Sequence, residues 1–355
     1  MDLLALLTSD PVIALVKIVV VFSLLMLCVS IMTWVERRVS AIIQYRLGPN
    51  RVGPFGLFQP FADGIKFIQK EDIVPAEANK FFYLMAPVLA VVPALCAFAV
   101  VPFGPEVVIF GKKVSLVILD LDGGLLWAFA ATGLGVYALV LAGWSSNSKF
   151  SLMGGLRSSA QMISYELPLI LAVTSVVLVS GSLRPTTIVA QQAGGFWHWY
   201  VFSGGIPLLG FILFTVAGYA ETNRTPFDLP EAEGELVAGY HTEYSGMRFA
   251  AFFMGEYINM MTSSALGITL FLGGWQVGLP KAWLPEPGWA LWSMQIGAFV
   301  AKMAFFQFLY VWVRWTLPRF RYDQLMNLGW KGLLPISLAN LAGTAILVVY
   351  GVVGH

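Results

Sequence analysis

Eight runs of mostly apolar residues, each about as long as a membrane-crossing helix, constrain this chain more than any other feature. They lie at about 12–35, 81–103, 125–144, 163–181, 205–221, 249–272, 290–313 and 333–353. An unpaired backbone group in hydrocarbon costs several kcal/mol, so a crossing segment must pair its own groups, as a helix of about 20 residues does. The runs predict an all-α polytopic membrane protein of about eight transmembrane helices. Composition agrees: 58% of the 355 residues are hydrophobic and 12% are charged, about half the charged share of a soluble domain. The first run has no basic segment before it and no small-residue cleavage site before Trp34-Val35-Glu36-Arg37-Arg38, so it reads as a retained span and not a signal peptide. With no internal repeat, low-complexity tract or soluble domain, residues 1–355 read as a single transmembrane helical domain.

Lys and Arg stay preferentially on the cytoplasmic side of a membrane. Fifteen of the 21 fall in alternate loops on one side, from Arg37 and Arg38 to Lys331; Lys112, Lys113, Arg184 and Lys281 fall on the other, and Lys17 and Lys302 lie within spans. Both termini are therefore expected on the outer face, with long loops 36–80 and 222–248 in the cytoplasm. Within 55–70, Phe58, Phe61, Ala62, Ile65 and Ile68 recur at helical spacing opposite Gln59, Asp63, Lys66 and Lys70. That pattern predicts an amphipathic interfacial helix in the first cytoplasmic loop, with Phe67 off its apolar face. The preceding stretch Arg46 to Pro54 is rich in turn residues and is expected to be ordered without being helical.

Ionisable groups inside spans are costly and point to a buried partner or an aqueous cavity. Lys17, near the outer end of the first span, can snorkel to the headgroups. Glu166, about one turn inside the fourth span, suits an interfacial acid and a functional one equally. Glu256 and Lys302 lie about 10 Å and 16 Å from the cytoplasmic ends of their spans at 1.5 Å per residue. They read either as a structural salt bridge or as groups that exchange protons. The loop after the fifth span holds Glu221, Asp228, Glu231, Glu233, Glu235 and Glu243 against only Arg224 and Arg248. This acidic run is either a solvated face or, because clustered acids repel and share protons, the mouth of a proton path toward Glu256 and Lys302.

The balance of charges excludes several functions. A net charge of +1 offers no field for nucleic acid. Cys28 and Cys96 are too few for a zinc site or a cysteine-ligated iron–sulfur cluster. Gly133-Leu-Gly135 lies inside an apolar span, without the strand a dinucleotide fingerprint needs. His198, His241 and His355 lie outside the spans, which disfavours a bis-His haem.

Two long stretches carry a specific resemblance. Glu36-Arg37-Arg38, Gln44 to Pro54 and Gln59 to Lys66 resemble the first cytoplasmic loop of the H subunits of proton-pumping NADH:quinone oxidoreductase, respiratory complex I. Glu221 to Gly246 is similar to that family's loop between its fifth and sixth spans. Further matches are Gly155 to Gln161, Tyr165 to Pro168 and Arg314 to Gln324. Gly234 departs from the Glu-Ser-Glu step of many relatives. The resemblance implies a subunit forming much of the quinone chamber, lined or braced by Arg37, Arg46, Asp63, Arg224 and Arg314, with Phe58 and Phe61 from the amphipathic helix. It further implies a charged path of Glu36, Glu166, Glu221, Asp228, Glu231, Glu233, Glu256 and Lys302, with no catalytic residue or metal on this chain. Quinone is then the substrate, and FMN and iron–sulfur clusters belong to partner subunits. Implied partners are the redox-arm, small membrane and antiporter-like subunits, within the bilayer of a bacterial inner membrane. Two alternatives stand beside this reading: the equivalent membrane component of a hydrogenase or ferredoxin-linked complex, and a stand-alone proton-coupled transporter.

Overall fold

A computed structural model describes residues 10–109, 112–203, 206–228, 237–286 and 288–351. In chain order the elements are α1 (Asp10–Ile43), α2 (Gln59–Gln69), α3 (Lys80–Phe98), β1 (Glu106–Ile109), β2 (Lys112–Ser115), α4 (Gly124–Ser145) and α5 (Lys149–Ser180). They continue with α6 (Pro185–Gln191), α7 (Ile206–Glu221), α8 (Gly246–Phe271), α9 (Trp289–Thr316), α10 (Tyr322–Asn327) and α11 (Leu334–Val349), the last two joined by a π-helical turn at Leu328–Leu333. Among the described residues each of the eight apolar runs holds a helix, so the protein is an all-α polytopic membrane protein. Among the described residues six helical stretches, α1, α3, α4, α5, α9 and the continuous Tyr322–Val349, are long and apolar enough to cross a bilayer. Helix α7 has only 16 residues. Helix α8 has the length, with 26, but is too polar by composition. Much of α8 is buried by other helices rather than left to lipid, and that tolerates polar side chains.

Several helices outrun their apolar runs. Helix α5 begins at Lys149, where the run begins at 163, because the intervening Ser and Gly residues are consistent with a helix once neighbours are present. Ser159 and Ser164 return their hydroxyls to Leu156 O at 3.0 Å and Ala160 O at 2.6 Å. Gly155 lets α5 close on α4, since a Cβ there would stand 2.8 Å from Leu139 O. Helix α1 likewise carries on through Glu36, Arg37 and Arg38, which places these residues on the wall of a helix and not in a loop. One buried stripe, Val21, Leu25, Val29, Met32, Glu36 and Ser40, holds α1 to the bundle.

After α1 the chain doubles back in the turn-rich stretch. Gly56, with φ of +77°, lies so close to Pro49 that a Cβ would be 2.3 Å from its carbonyl oxygen, so only glycine is accommodated. Arg38 and Trp34 donate to Pro49 O (3.2 Å) and Phe55 O (3.1 Å), fastening this crossing to α1. The crossing delivers α2 alongside α8. At the opposite end of the bundle lies a two-stranded antiparallel hairpin that the apolar pattern does not reveal, with Val107 opposite Val114. Each strand has only four residues, too few to show a period.

Candidate functional site

The largest cavity described, about 610 Å³, lies where α1, α2, α8, α9 and the segment after α7 converge. Arg37, Arg46, Asp63, Arg224 and Arg314, widely separated in sequence, all line it, as does Glu36. The polar stripe of α1 (Ser30, Thr33, Glu36, Arg37 and Ser40) faces the apolar Phe67, Ile68, Phe249, Phe253 and Met254. Local geometry sets the charges: Arg37 donates to Asp63 at 2.5 Å, and Gln59 holds the other Asp63 oxygen at 3.0 Å. Arg46 is at the mouth, bonded to Gln44 at 2.6 Å.

Arg224 joins this cavity to the bundle interior. Its Nη1 lies 3.3 Å and 3.5 Å from the two Glu36 oxygens, and its Nε lies 2.6 Å from Glu256 Oε1. The guanidinium also covers the Tyr257 ring, 4.3 Å from its centroid. Glu36 is ion-paired with Arg314 as well and accepts the Tyr257 hydroxyl at 2.5 Å. Glu36, Arg224 and Glu256, all largely shielded from solvent, thus neutralise one another with help from the more exposed Arg314, the pairing that buried charge requires.

From Glu256 the polar surface continues inward. A cavity of about 40 Å³ is lined by Glu256, Asn259, Thr222 and Glu221. A second, of about 20 Å³, is lined by Asn259, Thr222, Glu221 and Thr132. Each is large enough for a water molecule. Thr132, whose hydroxyl donates to Phe129 O at 3.2 Å, lines the second cavity with Glu221. Gly133 leaves room for Glu166, whose Oε1 would be 3.2 Å from a Cβ at that position. With α5 starting at Lys149, Glu166 lies about 26 Å along that helix at 1.5 Å per residue.

Other expected positions fall elsewhere. Phe58 and Phe61 are about half exposed, at 50% and 53%, and pack on each other at 6.4 Å outside the cavity. Phe67 lies off the apolar arc, as its spacing indicates, and it is this side of α2, with Asp63, that lines the cavity; Phe67 meets Phe249 at 6.1 Å. Periodicity identifies an apolar arc but not whether protein or lipid covers it. Lys17 does not merely snorkel; it donates to Val117 O at 2.9 Å behind the hairpin. Lys302 meets three backbone carbonyls near the far end of α8 and is not paired with Glu256. Asp228 is held by Arg319 at 2.8 Å. Glu231 and Glu233 lie outside the described residues. Tyr257, Asn259 and Thr132 escaped the sequence reading because uncharged polar residues within apolar runs carry no signal until their neighbours are known.

Outside the spans, His241 is packed edge-on against Phe249 and Phe253 at 5.2 Å and 5.7 Å, behind the cavity wall. Its burial lowers its pKa to about 4. At the other end of the bundle, Arg184 forks onto both Asp120 oxygens at 2.8 Å and 2.5 Å, which holds the Asp120 carboxyl below its ordinary range.

Fold and site together define a multi-pass helical membrane protein whose charged residues gather around one cavity and extend from it into the bundle. The NADH dehydrogenase family matches residues 16–345. The second H subunit of the NADH-quinone oxidoreductases of Koribacter versatilis is 50% identical over 346 residues, covering 95% of this chain and 97% of that protein. The H subunit of the Salinibacter ruber enzyme is 51% identical over 340 residues, 94% of each chain, and subunit 8 of the Rhodothermus marinus enzyme is 51% identical over 340, covering 94% and 95%. The chain belongs to this family, the H subunits of NADH-quinone oxidoreductase, and is a membrane subunit of that enzyme.

Proposed function

We propose that this chain forms much of the quinone-binding chamber of NADH:quinone oxidoreductase and links quinone reduction to proton translocation. The observation that carries the reading is the single cavity onto which Arg37, Arg46, Asp63, Arg224 and Arg314 converge, joined through Arg224 to buried acids. An isoprenoid quinone has a polar head and a long apolar tail, and needs apolar walls with a few fixed polar groups. Phe67, Ile68, Phe249, Phe253 and Met254 suit the tail, and the Arg37–Asp63 pair suits a carbonyl-bearing head. FMN, iron–sulfur clusters and electron delivery belong to the redox-arm subunits. Small membrane subunits and antiporter-like subunits complete the partners. The basic loops at the chamber end correspond to the cytoplasmic face of a bacterial inner membrane, with both termini outside.

Reduction of a quinone to a quinol consumes two electrons and two protons. In a chamber whose walls carry compensated charges, that change in the substrate alters the field at Glu36 and hence the balance between Glu36 and Glu256 around Arg224. Glu256, Asn259, Thr222, Glu221 and Glu166 offer a sequence of polar groups and water-sized cavities along which a proton shift can propagate. Asp228 belongs to the acidic mouth with Glu231 and Glu233, and Lys302 lies off this route. Irradiating the assembled complex with a photoreactive quinone and mapping the adducts tests the chamber: labelling of α8 at Met247, Phe253 or Met254 is expected. Adducts confined to partner subunits would overturn it. For the route, Glu221→Gln is expected to lower protons pumped per NADH oxidised; an unchanged ratio removes Glu221 from the path.

A further inference from the structure

Lys302 is a half-buried cation in mid-helix that the chamber and the route leave unused. Among the described residues no carboxylate pairs with it. Its Nζ instead donates to Leu272 O at 2.7 Å, Gly274 O at 2.9 Å and Gln276 O at 2.7 Å, and stands 4.2 Å from the centre of the Trp199 ring. All three protons of the ammonium are therefore directed at carbonyls, and its remaining side faces an aromatic ring, the arrangement expected of a permanently seated cation.

Those carbonyls belong to the turn that ends α8. A helix terminus leaves its last carbonyls without partners in the helix, and here the terminus is enclosed: Leu270 and Phe271 are fully buried and Trp275 nearly so. The turn satisfies part of the deficit itself. Gly273 and Gly274 adopt positive φ of 70° and 53°, which lets the chain fold back so that the Gly274 amide reaches Ile268 O at 2.9 Å. Buried Gln192 supplies more, donating to Thr269 O at 3.0 Å and accepting the Gly273 amide at 3.0 Å. Leu272, Gly274 and Gln276 then receive the Lys302 protons, and the positive charge lies at the negative end of the α8 dipole.

We propose that Lys302 is a positioning residue: a fixed cation that clamps the buried C-terminus of α8 to α9 and Trp199, and thereby sets the axial register of the helix carrying Glu256, Tyr257 and Asn259. Leu272 and Glu256 are 16 residues apart, about 24 Å of helix at 1.5 Å per residue. A helix is stiff over that length, so loosening one end displaces the other against Arg224. Only this consequence for Glu256 rests on the reading of the chamber and route; the clamp itself does not.

Two variants separate a clamp from a proton relay. Arginine keeps the charge and several donors but does not release its proton in a protein, so Lys302→Arg preserves a clamp and abolishes a relay. Lys302→Met abolishes both. In the assembled complex, Lys302→Arg is expected to retain NADH:quinone turnover and proton pumping within about twofold, and Lys302→Met to lose about tenfold or more of the turnover. Hydrogen exchange read by mass spectrometry supplies a measurement independent of quinone: amides 272–278 are expected to exchange at least tenfold faster in Lys302→Met than in the parent. Unchanged protection of that segment in Lys302→Met overturns the clamp, whatever happens to activity. Loss of pumping in Lys302→Arg with the segment still protected would establish a relay instead. Were photolabelling to refute the chamber, the exchange result would still stand.

Discussion

The Arg224 bridge makes a quantitative prediction. Replacing Arg224 with Met leaves Glu256 without its 2.6 Å partner, whereas Glu36 keeps Arg314 and the Tyr257 hydroxyl. Opposite charges about 4 Å apart attract by about 4 kcal/mol at an effective dielectric constant near 20, and removing one member of a buried pair typically costs about 3 to 5 kcal/mol because the other charge stays desolvated. Losses of 1 to 2 kcal/mol already change protein abundance several-fold in cells, so Arg224→Met is expected to reduce assembled complex in the membrane about tenfold or more, measured on native gels. Glu256→Gln, which neutralises one carboxylate without stranding a cation, is expected to cost far less. The decisive variant is the pair. Arg224→Met with Glu256→Gln removes the charge that the single variant strands, so it should assemble better than Arg224→Met alone, a coupling of at least about 1 kcal/mol between neighbouring sites. A double variant that assembles as poorly as the single one, or worse, would refute the reasoning that Arg224 is retained to neutralise Glu256.

Two further outcomes follow from the cavity wall. Phe67→Ala is expected to raise the KM for quinone several-fold, with Phe61→Ala close to the parent, because only Phe67 lines the cavity; equal effects in steady-state kinetics would contradict this geometry. His241, lowered to about 4 by burial from an unperturbed value near 6.5, binds fewer protons folded than unfolded between those limits. Stability therefore falls as pH drops from about 6.5 toward 4, by at most about 3 kcal/mol, and His241→Phe should flatten the acid limb of thermal melts of the purified complex.

Chain order and side-chain chemistry alone determined the all-helical membrane architecture, because unpaired backbone in hydrocarbon leaves long apolar runs no alternative. The same logic makes Glu256 and Lys302 conspicuous, since charge within such a run always needs an explanation. What the runs could not convey was where helices extend into polar sequence. Lys149 to Met162 is helical because Ser hydroxyls fold back on carbonyls and glycines admit neighbouring backbone, and both depend on what lies alongside. Nor does periodicity distinguish protein from lipid, which is why it does not foretell that Phe67, and not Phe61, lines the cavity. The pairing of charges belonged wholly to the tertiary structure. Glu36 and Arg224 are 188 residues apart, and which of several carboxylates a guanidinium meets depends on helix facing and register, quantities that no local pattern encodes. For the same reason Glu256 and Lys302, alike in sequence as isolated buried charges, have different settings: one shares an arginine with the cavity, and the other closes the far end of its helix.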